Sequence, residues 1–280
     1  MEVTILSRSS KPESGGVQTI AWDARTVGEW KHALEGAHAV INLAGRSVAT
    51  KWTPMAKKEI ESSRVESTRA IGIALDQVSD KPKVWINASA IGFYGYNDAA
   101  RKDETSAPEQ PEEFLTEVCR KWEDAARSSC PAGVNLRFVR IGVVLGPGGG
   151  ALPPLLQLTK LFIGGHVGSG KQGQSWIHLD DLVAQFLWMT EADRPAIING
   201  TAPNPVDFST LMATLRRIVG RPWAPPAPSF ALQLASLFGA PEPELVTRGN
   251  YVLPKAALEA GFEFKFPDLE PALRNLVGQS

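Results

Sequence analysis

The chain has 280 residues, 43% of them hydrophobic and 21% charged, enough apolar content for one large domain or a domain with an appended lobe. A net charge of -1 excludes a dedicated nucleic-acid binder or a basic membrane-surface protein. Cys119 and Cys130 are too few for a disulfide framework and lack metal-ligand spacing; with no membrane-length apolar run and no signal-peptide pattern, a cytoplasmic protein with reduced thiols and no metal is expected.

The first strand begins almost at once, with Val3, Thr4, Ile5 and Leu6, and ends at Ser7-Arg8-Ser9. Residues 19–22 read as a second short strand and 27–34 as a short helix. A third strand over 39–43 runs into Asn42-Leu43-Ala44-Gly45. A long helix is predicted over 53–78, capped by Thr53 with Pro54 in its first turn. Its apolar face draws on Ile60, Val65, Ile71, Ile73 and Leu75.

After a Lys81-Pro82 turn, Val84, Trp85 and Ile86 suit a strand covered on both faces. It closes in small residues, Ala88, Ser89, Ala90 and Gly92, before Tyr94 and Gly95. In open parallel sheets ligands sit outside such carboxyl ends, so Ser89 and Tyr94 bring two hydroxyls to a candidate site. A core strand ending in a glycine turn, its hydroxyls bonded to backbone, is the competing reading. A polar loop over 97–113 leads to a helix over 113–127, with Leu115, Val118 and Trp122 at helical spacing. The apolar strand 136–145 ends in Gly146-Pro147-Gly148-Gly149-Gly150. This alternation predicts an α/β fold with a doubly wound parallel sheet.

Beyond residue 150 the regularity loosens. Helices are predicted over 152–162, 182–189, 208–219 and 230–238, with strands at 174–178 and 197–200. Asp180-Asp181 would cap the helix at 182, and a Pro-rich connector spans 222–228. These late segments are expected to form a smaller lobe over the sheet edge.

Several stretches together resemble extended short-chain dehydrogenase/reductases, in the atypical epimerase-like subgroup with a small C-terminal domain of unknown function, a subgroup sometimes labelled cell-division-inhibitor homologues. They include VINLAGRSV (40–48), ESSRVEST (61–68), NASAIGFYG (87–95), FLTEVCRKWE (114–123), VRIGVVLGPGGGAL (139–152), GSGKQGQSWIHLDDL (168–182), NGTAPNPV (199–206) and VLPKAALEAGFEFKFPDLEPAL (252–273). The resemblance implies a Rossmann-like dinucleotide-binding domain over 1–150. It implies a substrate lobe and helical tail over 151–280, with some segments returning to the sheet. Two departures accompany it. The family's opening strand, GxxGxxG turn and helix are not found ahead of VTILSRS, so the first βα unit is expected to be missing and two neighbouring strands to be left unpaired. The family's Tyr-x-x-x-Lys pair falls near Leu115 and Cys119, which cannot move a proton as those residues do.

On this resemblance, Ser7, Arg8, Leu43, Ala44, Gly45, Arg64, Ala88 and Ala90 are the expected cofactor-binding residues. Arg8 favours NADP, with NAD as the alternative; a solvated loop arginine is the structural reading. Ser89 matches the family serine, and Tyr94 is the nearest substitute acid. Gly146, Lys171, Ser175 and Trp176 are expected at the substrate. Gln174 stands where nucleotide-sugar enzymes of the fold place an Arg, which weakens that assignment. His178 with Asp180 and Asp181 is read as structural rather than as a metal or acid/base site. The expected protein is an NADP-dependent oxidoreductase or epimerase acting on a small molecule by hydride transfer, with no nucleic-acid or membrane partner, as a monomer or homodimer. A catalytically degenerate NAD(P)-sensing protein and a truncated product with impaired cofactor binding are the alternatives.

Overall fold

The computed structural model describes residues 2–9, 16–96, 100–109, 113–221, 223–225 and 242–278. In chain order its main strands are β1 (Val3–Ser7), β2 (Val17–Ala21), β3 (Ala39–Asn42), β4 (Val84–Ala90), β5 (Asn135–Ile141), β6 (Val143–Gly146), β7 (Trp176–His178) and β8 (Ile197–Gly200). The main helices are α1 (Pro54–Gln77), α2 (Phe114–Ser129), α3 (Leu152–Lys160), α4 (Leu179–Trp188), α5 (Phe208–Ile218) and α6 (Leu269–Gly278).

Four parallel strands in the order β8-β5-β4-β3 make the central sheet. Side chains alternate across it, as the pleat requires. On β4, Val84, Ile86 and Ala88 join Val139, Ile198, Leu182 and Phe186 on the α4 side. Trp85 points the other way, among Ala74, Leu75, Ala126 and Phe138 under α1 and α2. Trp85 and Ile86 are both fully buried. Burying a side chain of that kind stabilises by roughly 1.5–3 kcal/mol, so the two-sided cover explains the unbroken apolar run.

β1 and β2 form a separate parallel pair. Among the described residues no strand pairs with the outer edge of β1 or of β3, so the sheet is interrupted between them. Ile5 is 46% exposed and Ile41 38% exposed. Leu6, Ile20 and Val40 nevertheless pack on one apolar cluster with Trp22, Trp30 and Trp85. Side-chain packing, rather than a backbone ladder, joins the pair to the rest.

The apolar strand 136–145 is two strands instead of one. It breaks at Gly142, where β5 leaves the central sheet and β6 pairs with β7. The break needs glycine: an added Cβ would lie 2.3 Å from the Ser175 carbonyl oxygen and 2.8 Å from the Thr201 methyl. The short helix near 27–34 is a 3-10 helix over Glu29–Leu34. Thr53 does cap α1, its hydroxyl accepting from the Ala56 N–H. α4 starts three residues earlier than expected, because the cap is His178, whose ring accepts from the Asp180 N–H, and not an aspartate.

The late segments gather a second apolar core from α3, α5, α6, Leu145 and Trp176. Two carboxylates, the buried Asp181 and the half-buried Glu104, tie late segments back to the sheet. Asp181 accepts from the N–H groups of Lys265 (2.8 Å) and Phe266 (2.9 Å). Glu104 accepts from those of Asn199 (2.8 Å) and Ala256 (3.1 Å). The helix expected over 230–238 and most of the Pro-rich connector lie outside the described residues.

Candidate functional site

Two cavities open at the carboxyl ends of the strands. The first, of about 230 Å3, is walled by Ala90, Ile91 and Gly92 at the end of β4 and just beyond it, by Leu115, Val118, Cys119 and Trp122 of α2, and by Ile141, Gly142 and Val143. Its polar lining is Arg64, Tyr96, Gln174, Ser175, Arg248 and Asn250. The second, of about 370 Å3, lies between the ends of β1, β2 and β3. Ser7, Arg8, Trp22, Asp23 and Arg25 line one side, and Leu43, Ala44, Gly45, Arg46 and Ser63 the other.

Of the expected cofactor residues, Ser7, Arg8, Leu43, Ala44 and Gly45 line the second cavity together. Arg25 and Arg46 also line it, but each is paired, with Glu66 (3.1 Å) and with Glu59. Arg8 is exposed and makes no ion pair with a described residue. Arg64 and Ala90 line the first cavity instead. Ala88 is buried in the core between strand and helix, because it points to the α4 side, so it lines neither.

Ser89 and Tyr94, the expected catalytic pair, lie in the core and not at either cavity. Ser89 is 1% exposed, Tyr94 is fully buried, and neither lines a cavity. The register explains why. Ser89, Arg140 and Asn199 are direct neighbours across β4, β5 and β8, so they form one row on the helix-covered face. Ser89 Oγ donates to Glu123 Oε1 at 2.8 Å. Arg140 closes a two-pronged contact on the same carboxylate at 2.8 and 3.0 Å. A third Arg140 nitrogen donates to the Tyr94 hydroxyl at 2.9 Å, which donates onward to Asn199 Oδ1 at 2.8 Å. The Arg140 guanidinium lies 3.4 Å from the Phe93 ring centre. Burial pushes the Tyr94 phenol up to about 12, against the pull of Arg140. Burial also opposes the charge on Glu123, yet Arg140, Ser89 and Arg127 outweigh it and hold the carboxyl below its ordinary range. This is a saturated structural network.

A second row lies beside it. Asn42 and Asn87 are register partners on β3 and β4, and Asn42 Nδ2 donates to Asn87 Oδ1 at 2.7 Å and to Thr68 at 3.0 Å. The Trp122 indole N–H donates to the same Thr68 hydroxyl at 2.9 Å. That bond orients the indole at the wall of the first cavity.

Among the expected substrate residues, Ser175 lines the first cavity, but its hydroxyl is spent on the Asn250 carbonyl and the Val252 N–H. Trp176 is fully buried in the second core, its indole bonded to the Asn204 carbonyl. Gly146 sits in the β6 hairpin against Leu179, and Lys171 is exposed; neither lines a cavity. His178 is structural: its ring stacks on Phe266 at 4.0 Å and meets Asn275 at 3.2 Å. Among the described residues no three His, Cys, Asp or Glu side chains are placed to hold a metal.

Tyr96, Arg248, Gly249 and Asn250 were missed. Arg248 stands over the Tyr96 ring at 5.0 Å and pairs with Glu113 (2.5 Å) and Glu244 (3.7 Å). Asn250 donates to the carbonyls of Ile91 and Gly95. Gly249 lets this segment close on the wall, since a Cβ there would sit 2.0 Å from the Gly173 carbonyl oxygen. Of the side chains lining the first cavity, Tyr96 and Cys119 carry dissociable protons. Burial pushes the Cys119 thiol up to about 12 and drives the Tyr96 phenol well above its ordinary value. No described helix is long and apolar enough to cross a membrane.

Comparison with known proteins places this architecture. Residues 227–276 match a domain of unknown function, DUF1731. The epimerase family protein SDR39U1 homolog, chloroplastic, of Arabidopsis thaliana is 40% identical over 252 residues, covering 89% of this chain and 71% of that protein. Epimerase family protein SDR39U1 of Homo sapiens is 33% identical over 280 residues, covering 99% of this chain and 91% of that one. The crystal structure of the human protein (isoform 2) with NADPH superposes with a TM-score of 0.87 at 32% identity, covering 100% of this chain and 92% of that chain. The fold is therefore Rossmann-like.

Proposed function

This chain belongs to the epimerase family of SDR39U1 proteins, and from that membership we propose that it is an NADP(H)-dependent oxidoreductase acting on a small molecule by hydride transfer. The observation that carries the reading is Arg8: a cation with no described acid partner, at the end of β1, on the rim of a cavity lined by Ala44 and Gly45. Such a charge fits the 2′-phosphate that separates NADP from NAD. Arg25, Arg46 and Ser63 line the same cavity but already hold Glu66, Glu59 and the Ile60 carbonyl, which leaves Arg8 as the cation there unmatched among the described residues. The small residues Ala90, Gly92 and Gly142 leave room in the first cavity for a flat ring. Bound NADPH supplies the hydride.

The chain's own residues bind and orient. Trp122 and Ile91 exclude water from one wall, and the Gly249–Asn250 segment closes another. Ser89 and Tyr94 act as positioning groups: through Glu123 and Arg140 they lock the ends of β4, β5 and β8 in register. A second reading, cofactor sensing without turnover, is favoured by the raised pKa of Tyr96 and Cys119, whose burial keeps both groups protonated and leaves no lining group poised for proton transfer near neutral pH.

Fluorescence titration with NADPH and NADH tests the cofactor reading. Arg8→Ala is expected to weaken NADPH binding about 10- to 100-fold, the worth of a charge-assisted hydrogen bond, and to leave NADH unchanged. An unchanged NADPH affinity removes Arg8 from the site. Hydride transfer to any member of a carbonyl panel rules out the pure sensor.

A further inference from the structure

We propose that the substrate is a small carboxylate on an apolar body, and that the Arg64 guanidinium receives its charged group. The proposal rests on reading the first cavity as the substrate chamber. Its walls are mostly apolar, from Ile91, Leu115, Val118, Trp122, Ile141 and Val143. Its volume of about 230 Å3 falls below the roughly 300–1,000 Å3 of sites for drug-sized ligands. A nucleoside-diphosphate sugar is too large for it and too highly charged.

Two guanidinium groups line the chamber, and they differ in what they already hold. Arg248 has Glu113 at 2.5 Å and Glu244 at 3.7 Å, so its charge is matched. Arg64 has no carboxylate within ion-pair distance among the described residues. One of its terminal nitrogens donates to the carbonyls of Arg46 (3.0 Å) and Ile60 (2.9 Å), which anchors the group. The other terminal nitrogen and Nε have no described partner. The guanidinium carbon stands 5.1 Å from the Trp122 ring centre, and Trp122 is itself held by Thr68. Thus an anchored planar fork, flanked by an aromatic face, lines an apolar chamber with part of its donor set unpartnered among the described residues. Desolvation disfavours its charge, a cost that an arriving anion offsets. A carboxylate matches the fork with two parallel hydrogen bonds. A single unmatched cation suits one such group, and the apolar walls suit the remainder.

Titration calorimetry on the full chain with saturating NADP+ tests this, with benzoate as probe and benzamide as its uncharged isostere. Benzoate is expected to bind about 10- to 100-fold tighter than benzamide. Arg64→Met should erase that preference while NADP+ still binds. Arg64→Lys, which keeps the charge but not the fork, should retain a reduced preference, and it carries the test if the methionine variant does not fold. Equal binding of the two probes, tighter binding of phenyl phosphate than of benzoate, or a preference that survives Arg64→Met overturns the proposal. So does loss of NADP+ binding in folded Arg64→Met, which would make Arg64 a cofactor residue. A wild-type protein that prefers benzoate but binds no NADP+ would remove the cofactor reading and leave this one standing.

Discussion

β4 and β1 are both short apolar parallel strands whose carboxyl ends reach a cavity, yet six of the seven residues of β4 are buried and none of the five in β1 is. The difference comes from their neighbours. β4 has a paired strand on each side and helices on both faces. β1 has one partner, β2, and rests on the rest of the molecule through side chains such as Leu6. The contrast extends to the cavities. The first is walled by the saturated sheet and by α2, whereas the second is bounded by loops from two sheets that no described strand joins. A chamber built on the paired sheet thus stands beside one bounded by loops.

The largest test of this contrast strikes the row of charges under β4 and β5. Arg140→Met leaves the Glu123 carboxylate buried without its main partner, and is expected to cost about 3–5 kcal/mol in denaturant unfolding. A loss below about 1 kcal/mol, the worth of an exposed pair, would mean the network does not hold the sheet. Its pH dependence has a definite sign. The folded protein holds the Glu123 pKa below its ordinary value of 4.5, so its contribution is complete above that pH and is lost as the pH falls through the folded value. The stability gap between wild type and Glu123→Gln should therefore be widest near neutral pH and shrink below about pH 4.5.

Hydrogen exchange sharpens the comparison next. Amides in β4 are expected to exchange roughly 100-fold or more slowly than those in β1, since a singly paired, half-exposed ladder opens locally. Equal protection in the two strands would contradict the interrupted sheet. The smallest effect is chemical. Cys119 is 3% exposed with its thiol pushed up to about 12, and Cys130 is half-buried. A thiol reagent should modify Cys130 in the folded protein and reach Cys119 only in denaturant; prompt labelling of both would show that the α2 wall opens.

Local pattern was enough for most of the frame. Thr53 and Pro54 mark the start of α1, and Ile197–Gly200 forms the strand expected there. Of the small residues at the end of β4 and just beyond it, Ala90 and Gly92 line a cavity, whereas Ala88 and Ser89 are buried in the core. The assignment of hydroxyls failed for a reason of register. Ser89 faces Glu123 because it shares a row with Arg140 and Asn199, which lie 51 and 110 positions further along the chain. Arg248 and Asn250 could not be found by spacing either, since they reach the site only through Gly249 closing on Gly173.

Sequence alone determined the class of fold and the positions of most elements. These follow from hydrophobic period, caps and turns, which act within a few residues of one another. Tertiary structure alone decided which polar groups face a cavity, which cancel one another, and which charge is left over. Whether Arg64 or Arg248 is matched depends on acids brought near by packing, and Coulomb interactions respond to distance in space rather than along the chain.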